Sequence, residues 1–263
     1  MRCVGDSNIP GIFVTTKEEL EEKWKIHGIQ AVYLIDQIEL LRVIKQLGGA
    51  CIYLEKQNGI ICCEADYIWQ MSDETDLPDE AYIYRVWQRH MHLPWLITKT
   101  EHLLLRESVM EDLPCFQQFY KEERDNPDVQ QLCEGEEQLH TYIATRYPLL
   151  EYGLWTIVDK ATATVVGRAG IEELPEDYGD LAGEPELSYL IGKEYRGSGI
   201  AKEACQAILH YAAEELEMKR IYLRTSRENF HSRKLAEKLG LLKVESITEY
   251  KDLLYCGLLT FER

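Results

Sequence analysis

The sequence predicts an α/β fold class in two parts: a small layered α/β unit, and a larger unit after it. Two observations predict this. Strand-like and helix-like runs alternate between residues 11 and 90, and a β-rich run, a glycine-rich turn and a helical run follow one another between residues 186 and 216. The chain of 263 residues, 45% of them hydrophobic, is long enough for two domains and apolar enough for packed cores.

The first unit alternates short strands with short helices. Thr16 followed by Glu19 makes a capping-box pattern before one helix, Asp36 followed by Glu39 repeats it before the next, and Gly48 ends that second helix. Such short alternation favours a small parallel sheet covered by helices. The predicted strands are GIFVTT, AVYLI and ACIYL, and the last predicted helix of the unit covers about residues 79–90.

The second unit contains the stretch that points to chemistry. ELSYLI, from Glu186, is apolar enough for a buried strand, and after Ala201 apolar residues recur every three or four positions, as on one face of a helix. The turn between them is rich in glycine, so successive backbone N–H groups can point into one concavity at the positive end of the helix. The residues of this candidate anion site are Arg196, Gly197, Ser198, Gly199, Ile200 and Ala201.

The glycine turn is open to other interpretations. A glycine turn before a helix is often only a tight connection. The dinucleotide-binding pattern Gly-x-Gly-x-x-Gly would need a third glycine where Lys202 stands, and the phosphate loop of nucleotide hydrolases would need a Gly-Lys-Ser/Thr run that is absent. Both of these nucleotide motifs therefore fit worse than a different kind of anion site.

The turn resembles the Gln/Arg-x-x-Gly-x-Gly/Ala motif of the GNAT acyltransferases, with Arg196, Gly199 and Ala201 at the three specified positions. LLLRESVMEDL resembles the family's opening strand and helix. Asn229 and Ser232 begin a segment, up to Gly240, that resembles the family's Asn-x-x-Ser pattern. The resemblance extends from about residue 102 to residue 263, with its elements in the family's order.

This resemblance implies a mixed, mostly antiparallel central sheet flanked by helices, with acetyl-CoA as cofactor. It places the pyrophosphate of coenzyme A on the amides of the turn, with Arg196 as a nearby cation. It also places the pantetheine arm against backbone groups of Leu190 and Ile191 and against Asn229, with Ser232 in the same segment. Asn229 is open to a simpler interpretation as the residue that starts a helix.

The proton-transfer groups are less evident. Many members of the family carry a tyrosine in the helix after the Asn-x-x-Ser segment, but the matching position here holds Ala236. A thiolate leaves without much help, whereas an acceptor ammonium must lose a proton before it can attack. We therefore assign the general base to Glu186, acting directly or through a water, with Glu172 on the neighbouring strand as second choice. The alternative for Glu186 is a solvated strand end.

Domain boundaries follow from Pro94 and from the lack of periodicity around it. We predict an accessory α/β domain over residues 1–92, a linker over 93–101 and an acyltransferase domain over 102–263. Residues 30–75 faintly resemble the closing part of haloacid-dehalogenase-type hydrolases. That family's nucleophile lies in an Asp-x-Asp motif, which is absent from this chain, so we expect the first domain to be non-catalytic.

Charge and cysteine content limit the partners. A net charge of −17 and a pI near 4.9 argue against duplex nucleic acid or an anionic membrane as the main partner. The sequence shows neither a secretory signal nor a run long enough to span a membrane, which favours a cytoplasmic protein. The eight cysteines lack the spacing of a metal site, so we expect reduced core residues and no bound metal.

Two classes of function remain at this point. The first is an acetyl-CoA-dependent N-acetyltransferase, a monomer or homodimer, that acts on an amine of a small molecule or of a protein N-terminus. The second is a sensor that binds an acyl-CoA without turnover. The intact cofactor pattern favours the enzyme, and a phosphatase centred on the first domain lacks its nucleophile.

Overall fold

The computed structural model describes residues 9–56, 62–123, 135–244 and 252–259. Contacts within the chain divide it into two compact units, Met1–Trp95 and Leu96–Arg263. None of the helices in the described ranges combines the length and the apolar composition needed to cross a lipid bilayer.

The first unit is a parallel sheet of four strands in the order β1-β2-β3-β4, with helices on both faces. Residues alternate across β2: Tyr33 and Ile35 pack with helix residues of α1 and α2, whereas Val32 and Leu34 pack against α3. The elements are β1 (Gly11–Phe13), α1 (Lys17–His27), β2 (Val32–Ile35), α2 (Ile38–Gln46), β3 (Ala50–Lys56), β4 (Ile68–Met71) and α3 (Glu80–His90).

Two helix starts in this unit were predicted from capping patterns, and the structure agrees with one of these predictions but not with the other. The Thr16 side chain accepts from the Glu19 amide at 3.2 Å, as the capping pattern predicts. Asp36 does not cap α2, which begins after Gln37 without a side-chain cap. The Asp36 carboxylate instead lies 3.4 Å from Nζ of Lys56, at the end of β3.

The second unit is built on a mixed sheet of eight strands in the order β11-β12-β10-β9-β8-β7-β6-β5. Its neighbouring strands are antiparallel except β9 and β10, which confirms the mixed, mostly antiparallel sheet. The elements are β5 (Leu96–Lys99), β6 (Leu103–Arg106), α4 (Leu113–Glu122), α5 (Glu136–Leu150), β7 (Leu154–Asp159), β8 (Val165–Glu173), β9 (Pro185–Ile191), α6 (Ile200–Glu214), β10 (Arg220–Thr225), α7 (Phe230–Lys238), β11 (Leu242–Lys243) and β12 (Leu253–Leu258).

Strand β5 lies within residues 93–101, where the sequence suggests only a linker. It pairs with β6, and a register shift between Leu96 and Thr98 interrupts the alternation that would have revealed a strand. Pro94 precedes the strand, where its missing N–H is not needed for the ladder. Of the predicted closing hairpin, the first strand falls largely on residues 245–251, outside the described residues, and the second is β12.

The pairing of β9 with its neighbours β8 and β10 determines where the candidate site lies in the sheet. Strand β9 is in register with β8 along its whole length, from Pro185 opposite Glu173 to Ile191 opposite Gly167. Its described register with the parallel strand β10 is one pair, Glu186 opposite Tyr222, near the start of β9. The carboxyl-terminal halves of β9 and β10 are therefore not joined by a ladder.

Candidate active site

A cavity of about 710 Å³ in the second unit is lined by both of these strands, β9 and β10, by the first turn of α6 and by one side of α7 along its length. All of the site residues predicted from the sequence line it except Ser198. The predicted residues that it brings together are Glu172, Glu186, Leu190, Ile191, Arg196, Gly197, Gly199, Ile200, Ala201, Asn229 and Ser232.

The glycine turn has the backbone of an anion site. Gly197 has φ +82° and Gly199 has φ +93°, and a Cβ at either position would meet no atom within 4 Å. Glycine is therefore required by the left-handed conformation rather than by crowding. Gly199 is the N-cap of α6, and its carbonyl accepts from the Glu203 amide at 3.0 Å. The amides before Glu203 have no acceptor within the helix and lie at its positive end.

The two polar side chains of the turn make internal contacts. Ser198 Oγ donates to the carbonyl of Tyr195 at 2.6 Å, which closes the turn and explains its place outside the cavity lining. Arg196 donates through Nε to the carbonyl of Ile191 at 2.9 Å and through its Nη2 atom to Glu123 at 2.6 Å. Arg196 thus ties the end of β9 to the end of α4, and direct binding of an anion by its guanidinium stays a prediction.

Asn229 has the simpler role that the sequence left open. Its Oδ1 accepts from the Ser232 amide at 3.0 Å, so it caps α7, and Ser232 is buried beneath this cap. Both residues line the cavity at the same time. The cap fixes Asn229 at the cavity wall, and its contact with a pantetheine arm stays a prediction. Leu190 and Ile191 lie in the half of β9 beyond its pairing with β10.

The two candidate carboxylates are direct neighbours. Glu172 on β8 is opposite Glu186 on β9 in the antiparallel register, so both side chains leave the same face of the sheet. Glu186 is 5% exposed, and Arg224 Nε donates to its Oε1 at 3.2 Å. Burial raises the pKa of Glu186, and the charge of Arg224 opposes that rise.

Glu172 is the more strongly perturbed of the pair. Burial raises its pKa to about 7; the guanidinium groups of Arg146 and Arg168 oppose this rise, and the charge of Glu186 adds to it. Tyr142 Oη lies 3.5 Å from Glu172 Oε1. A carboxyl group with a pKa near neutrality can both take and release a proton at neutral pH, as a general base must.

Sequence analysis missed several residues of the cavity. Arg224 faces Glu186 from β10, where it stands among buried Ile221 and Leu223; a charged residue inside an apolar strand was the available signal. The cavity is also lined by Lys234 and Lys238, one helical turn apart on α7. This four-residue spacing of lysines after the Asn-x-x-Ser segment was the available sequence signal.

Comparison with known proteins agrees with this geometry. The model of the acetyltransferase (GNAT) domain matches residues 102–242. The chain is 31% identical over 101 residues to the uncharacterized N-acetyltransferase YjdG of Bacillus subtilis (38% of this chain, 58% of that protein). It is 34% identical over 84 residues to the putative ribosomal N-acetyltransferase YdaF of the same organism (29% and 46%). The chain spans about half the length of the curated relatives that it matches.

Two solved structures have the same fold in the larger part of the chain. The acetyltransferase from Agrobacterium tumefaciens has a TM-score of 0.50 at 24% identity, over 61% of this chain and 92% of its own. RimL, a ribosomal L7/L12 alpha-N-protein acetyltransferase in complex with coenzyme A, has a TM-score of 0.51 at 14% identity, over 63% and 98%. At these identities the similarity concerns the fold alone.

The family match includes the opening motif, the glycine turn and the Asn-x-x-Ser segment, but does not reach the first unit. The resemblance of residues 30–75 to haloacid-dehalogenase-type hydrolases is not shown by any of these findings. Because the matched region, residues 102–242, is more than half of the protein, the chain belongs to the GNAT acetyltransferase family.

Proposed function

We propose that this protein transfers an acetyl group from acetyl-CoA to a primary amine of a small molecule or of a protein N-terminus. The observation that carries the proposal is the composition of one cavity. Its wall contains a helix N-terminus built on glycines and, on strands β8 and β9, a pair of neighbouring carboxylates, buried at Glu186 and half-buried at Glu172.

The residues of the cavity fit acetyl-CoA. The exposed turn at Gly197 and Gly199 leaves open space before the first amides of α6, as a pyrophosphate requires. The unjoined halves of β9 and β10 offer backbone groups to an extended arm, with Leu190, Ile191, Asn229 and Ser232 beside it. When bound, the thioester supplies an electrophilic carbonyl carbon and a thiolate leaving group, whose thiol has a pKa of about 8.5.

The chain's own groups handle the proton of the amine. An ammonium group with a pKa of about 10 is mostly unreactive at neutral pH, so it must first lose one proton to a base. The free amine can then bond to the carbonyl carbon as the C–S bond breaks, and the second N–H proton goes to the departing thiolate, which leaves as the thiol. The sequence placed Glu186 first for this role. The structure favours Glu172, because its pKa of about 7 suits proton transfer, whereas Glu186 is held in an ion pair with Arg224.

The carboxylate pair on β8 and β9, rather than the total charge of the cavity, favours a cationic acceptor. Glu172, Glu186 and Asp252 all line the cavity, and Arg224 faces two of these three carboxylates. Of the similar proteins, YdaF is a putative ribosomal N-acetyltransferase and RimL is a ribosomal L7/L12 alpha-N-protein acetyltransferase. A peptide or protein amine is therefore the first acceptor class to examine.

The test is acetyl-CoA consumption with a panel of small amines and peptides with free N-termini, combined with calorimetric titration of CoA. We expect CoA to bind and at least one amine to be acetylated. Binding of CoA without acetylation of any acceptor would favour the sensor instead, and failure to bind CoA would contradict both functions.

A further inference from the structure

One side of the cavity carries more positive charge than a pyrophosphate site needs. Four cavity-lining side chains form what we call the cationic wall: Lys202 in the first turn of α6, and His231, Lys234 and Lys238 on α7. Lys234 and Lys238 are separated by one helical turn and therefore share a face of α7. The chain as a whole has a net charge of −17, so a group of basic side chains at one cavity is a local exception.

These basic side chains are available to a ligand. Lys202, His231, Lys234 and Lys238 are exposed, and among the ion pairs in the described ranges none involves them. Lys234 Nζ lies 4.7 Å from the ring centroid of Phe230, which holds the ammonium group near the start of α7. The three lysines of the wall are thus positive charges without a carboxylate partner among the described residues.

The backbone already accounts for the pyrophosphate. The glycine turn and the N-terminal amides of α6 can accept it without any lysine. Three further basic side chains on α7 point to a second anionic group on the same ligand. A phosphate monoester carries close to two negative charges at pH 7 and suits a wall of this kind.

We propose that the cationic wall binds the 3′-phosphate on the ribose of coenzyme A and thereby selects CoA over thioester donors that lack this group. The proposal rests on the proposed function, because it takes coenzyme A as the ligand of this cavity. The alternative is an acidic carrier protein presenting a pantetheine thioester. The wall lines the cavity that contains the glycine turn, which favours a group of the small ligand itself.

The experiment is calorimetric titration of the full chain with CoA and with 3′-dephospho-CoA. Since each exposed charge pair contributes a few-fold in affinity, we expect the protein to bind CoA ~10-fold more tightly. In the double variant K234Q/K238Q the affinity for CoA should fall to that for 3′-dephospho-CoA, and the affinity for 3′-dephospho-CoA should stay within ~2-fold. The matched control is Lys219→Gln, an exposed lysine just before β10 that does not line the cavity.

Equal affinity of the unmodified protein for the two ligands would overturn the proposal while leaving CoA binding, and hence the proposed function, intact. An equal loss of affinity for both ligands in the double variant would also overturn it, because the lysines would then act on the pyrophosphate or on the fold. Thermal melts of the variants separate these two causes. Tighter binding of a carrier protein bearing phosphopantetheine than of CoA would assign the wall to that protein. Absence of binding by either ligand would contradict both the wall and the proposed function.

Discussion

The glycine turn and the carboxylate pair belong to the same cavity but are built in different ways. The turn presents backbone amides, and its conformation depends on two glycines with positive φ, at positions 197 and 199. The pair presents side chains, and the pKa of Glu172 depends on burial and on charges from β9, α5 and β8 itself. An anion site made of backbone should therefore tolerate most side-chain changes, whereas the carboxylate pair should respond to changes in any of its neighbours.

The largest expected effect is on the turn. Gly199→Glu forces a side chain into a backbone conformation with φ +93° and places a carboxylate where we expect the pyrophosphate. Loss of several charge-assisted hydrogen bonds should weaken CoA binding by more than ~100-fold in calorimetry. Gly48→Glu is the matched control, because Gly48 has φ +73°, has open space around it and lies in the first unit. Unchanged CoA affinity in the Gly199 variant would remove the pyrophosphate from this turn.

The next effect is on proton transfer. Glu172→Gln should leave CoA affinity unchanged and lower the acetylation rate by roughly 10²–10⁴-fold, with the smallest loss at high pH, where the amine is already deprotonated. Stopped assays across pH measure this. The control is Glu176→Gln, which removes an exposed carboxylate three residues after β8 that does not line the cavity. A Glu172 variant with normal rates at all pH values would exclude Glu172 as the base.

Glu186→Gln distinguishes the two carboxylates. Because the charge of Glu186 raises the pKa of Glu172, its removal, which also leaves Arg224 without this partner, should lower that pKa. In the unmodified protein the rate should rise with pH through about 7, as Glu172 loses its proton. The variant should show that rise at lower pH, by up to about one unit, with only a modest loss of maximal rate. A loss as large as that of the Glu172 variant would make Glu186 the general base, as the sequence analysis predicts.

Arg196→Ala should have a smaller effect on the turn. The guanidinium is bonded to Glu123 and to the Ile191 carbonyl, so its removal loosens the support of the turn but leaves the amides of α6 in place. We expect CoA affinity to fall by about 3- to 10-fold, or about 0.7–1.4 kcal/mol, which is the contribution of one ordinary hydrogen bond. A loss as complete as that of Gly199→Glu would instead show that Arg196 binds the anion directly.

The smallest effect is expected from removing the first unit. A fragment that starts at Leu93 contains the whole eight-stranded sheet and all residues that line the cavity. We expect it to fold and to bind CoA within ~2-fold of the full chain, since contacts between domains of one chain are usually modest. An insoluble fragment, or one without CoA affinity, would mean that both the turn and the carboxylate pair depend on the first unit.

The same contrast explains what the sequence could predict. The turn was predictable because strand, glycines and helix follow one another directly and their conformations depend on local residues. The proposed choice of Glu172 over Glu186 as the base could not be made from the sequence. It depends on Arg224, which lies 38 positions after Glu186 in the chain and contacts it across the sheet. Strand β5 was missed because of a register shift, and Asp36 was misassigned as a cap because its partner Lys56 comes from another strand.

Because β9 and β10 are not paired beyond Glu186 and Tyr222, the sheet has two unpaired strand edges between its outer strands. Unpaired strand edges at the outside of a sheet invite pairing with other chains, and proteins usually protect them. Edges that face each other across a narrow cleft are protected by their position, since an incoming strand needs a spacing of about 4.8 Å to each neighbour. A thin, extended ligand with amide groups of its own could enter such a gap and bond to strand backbone, and we propose that the interruption of the ladder after Glu186 and Tyr222 serves this purpose.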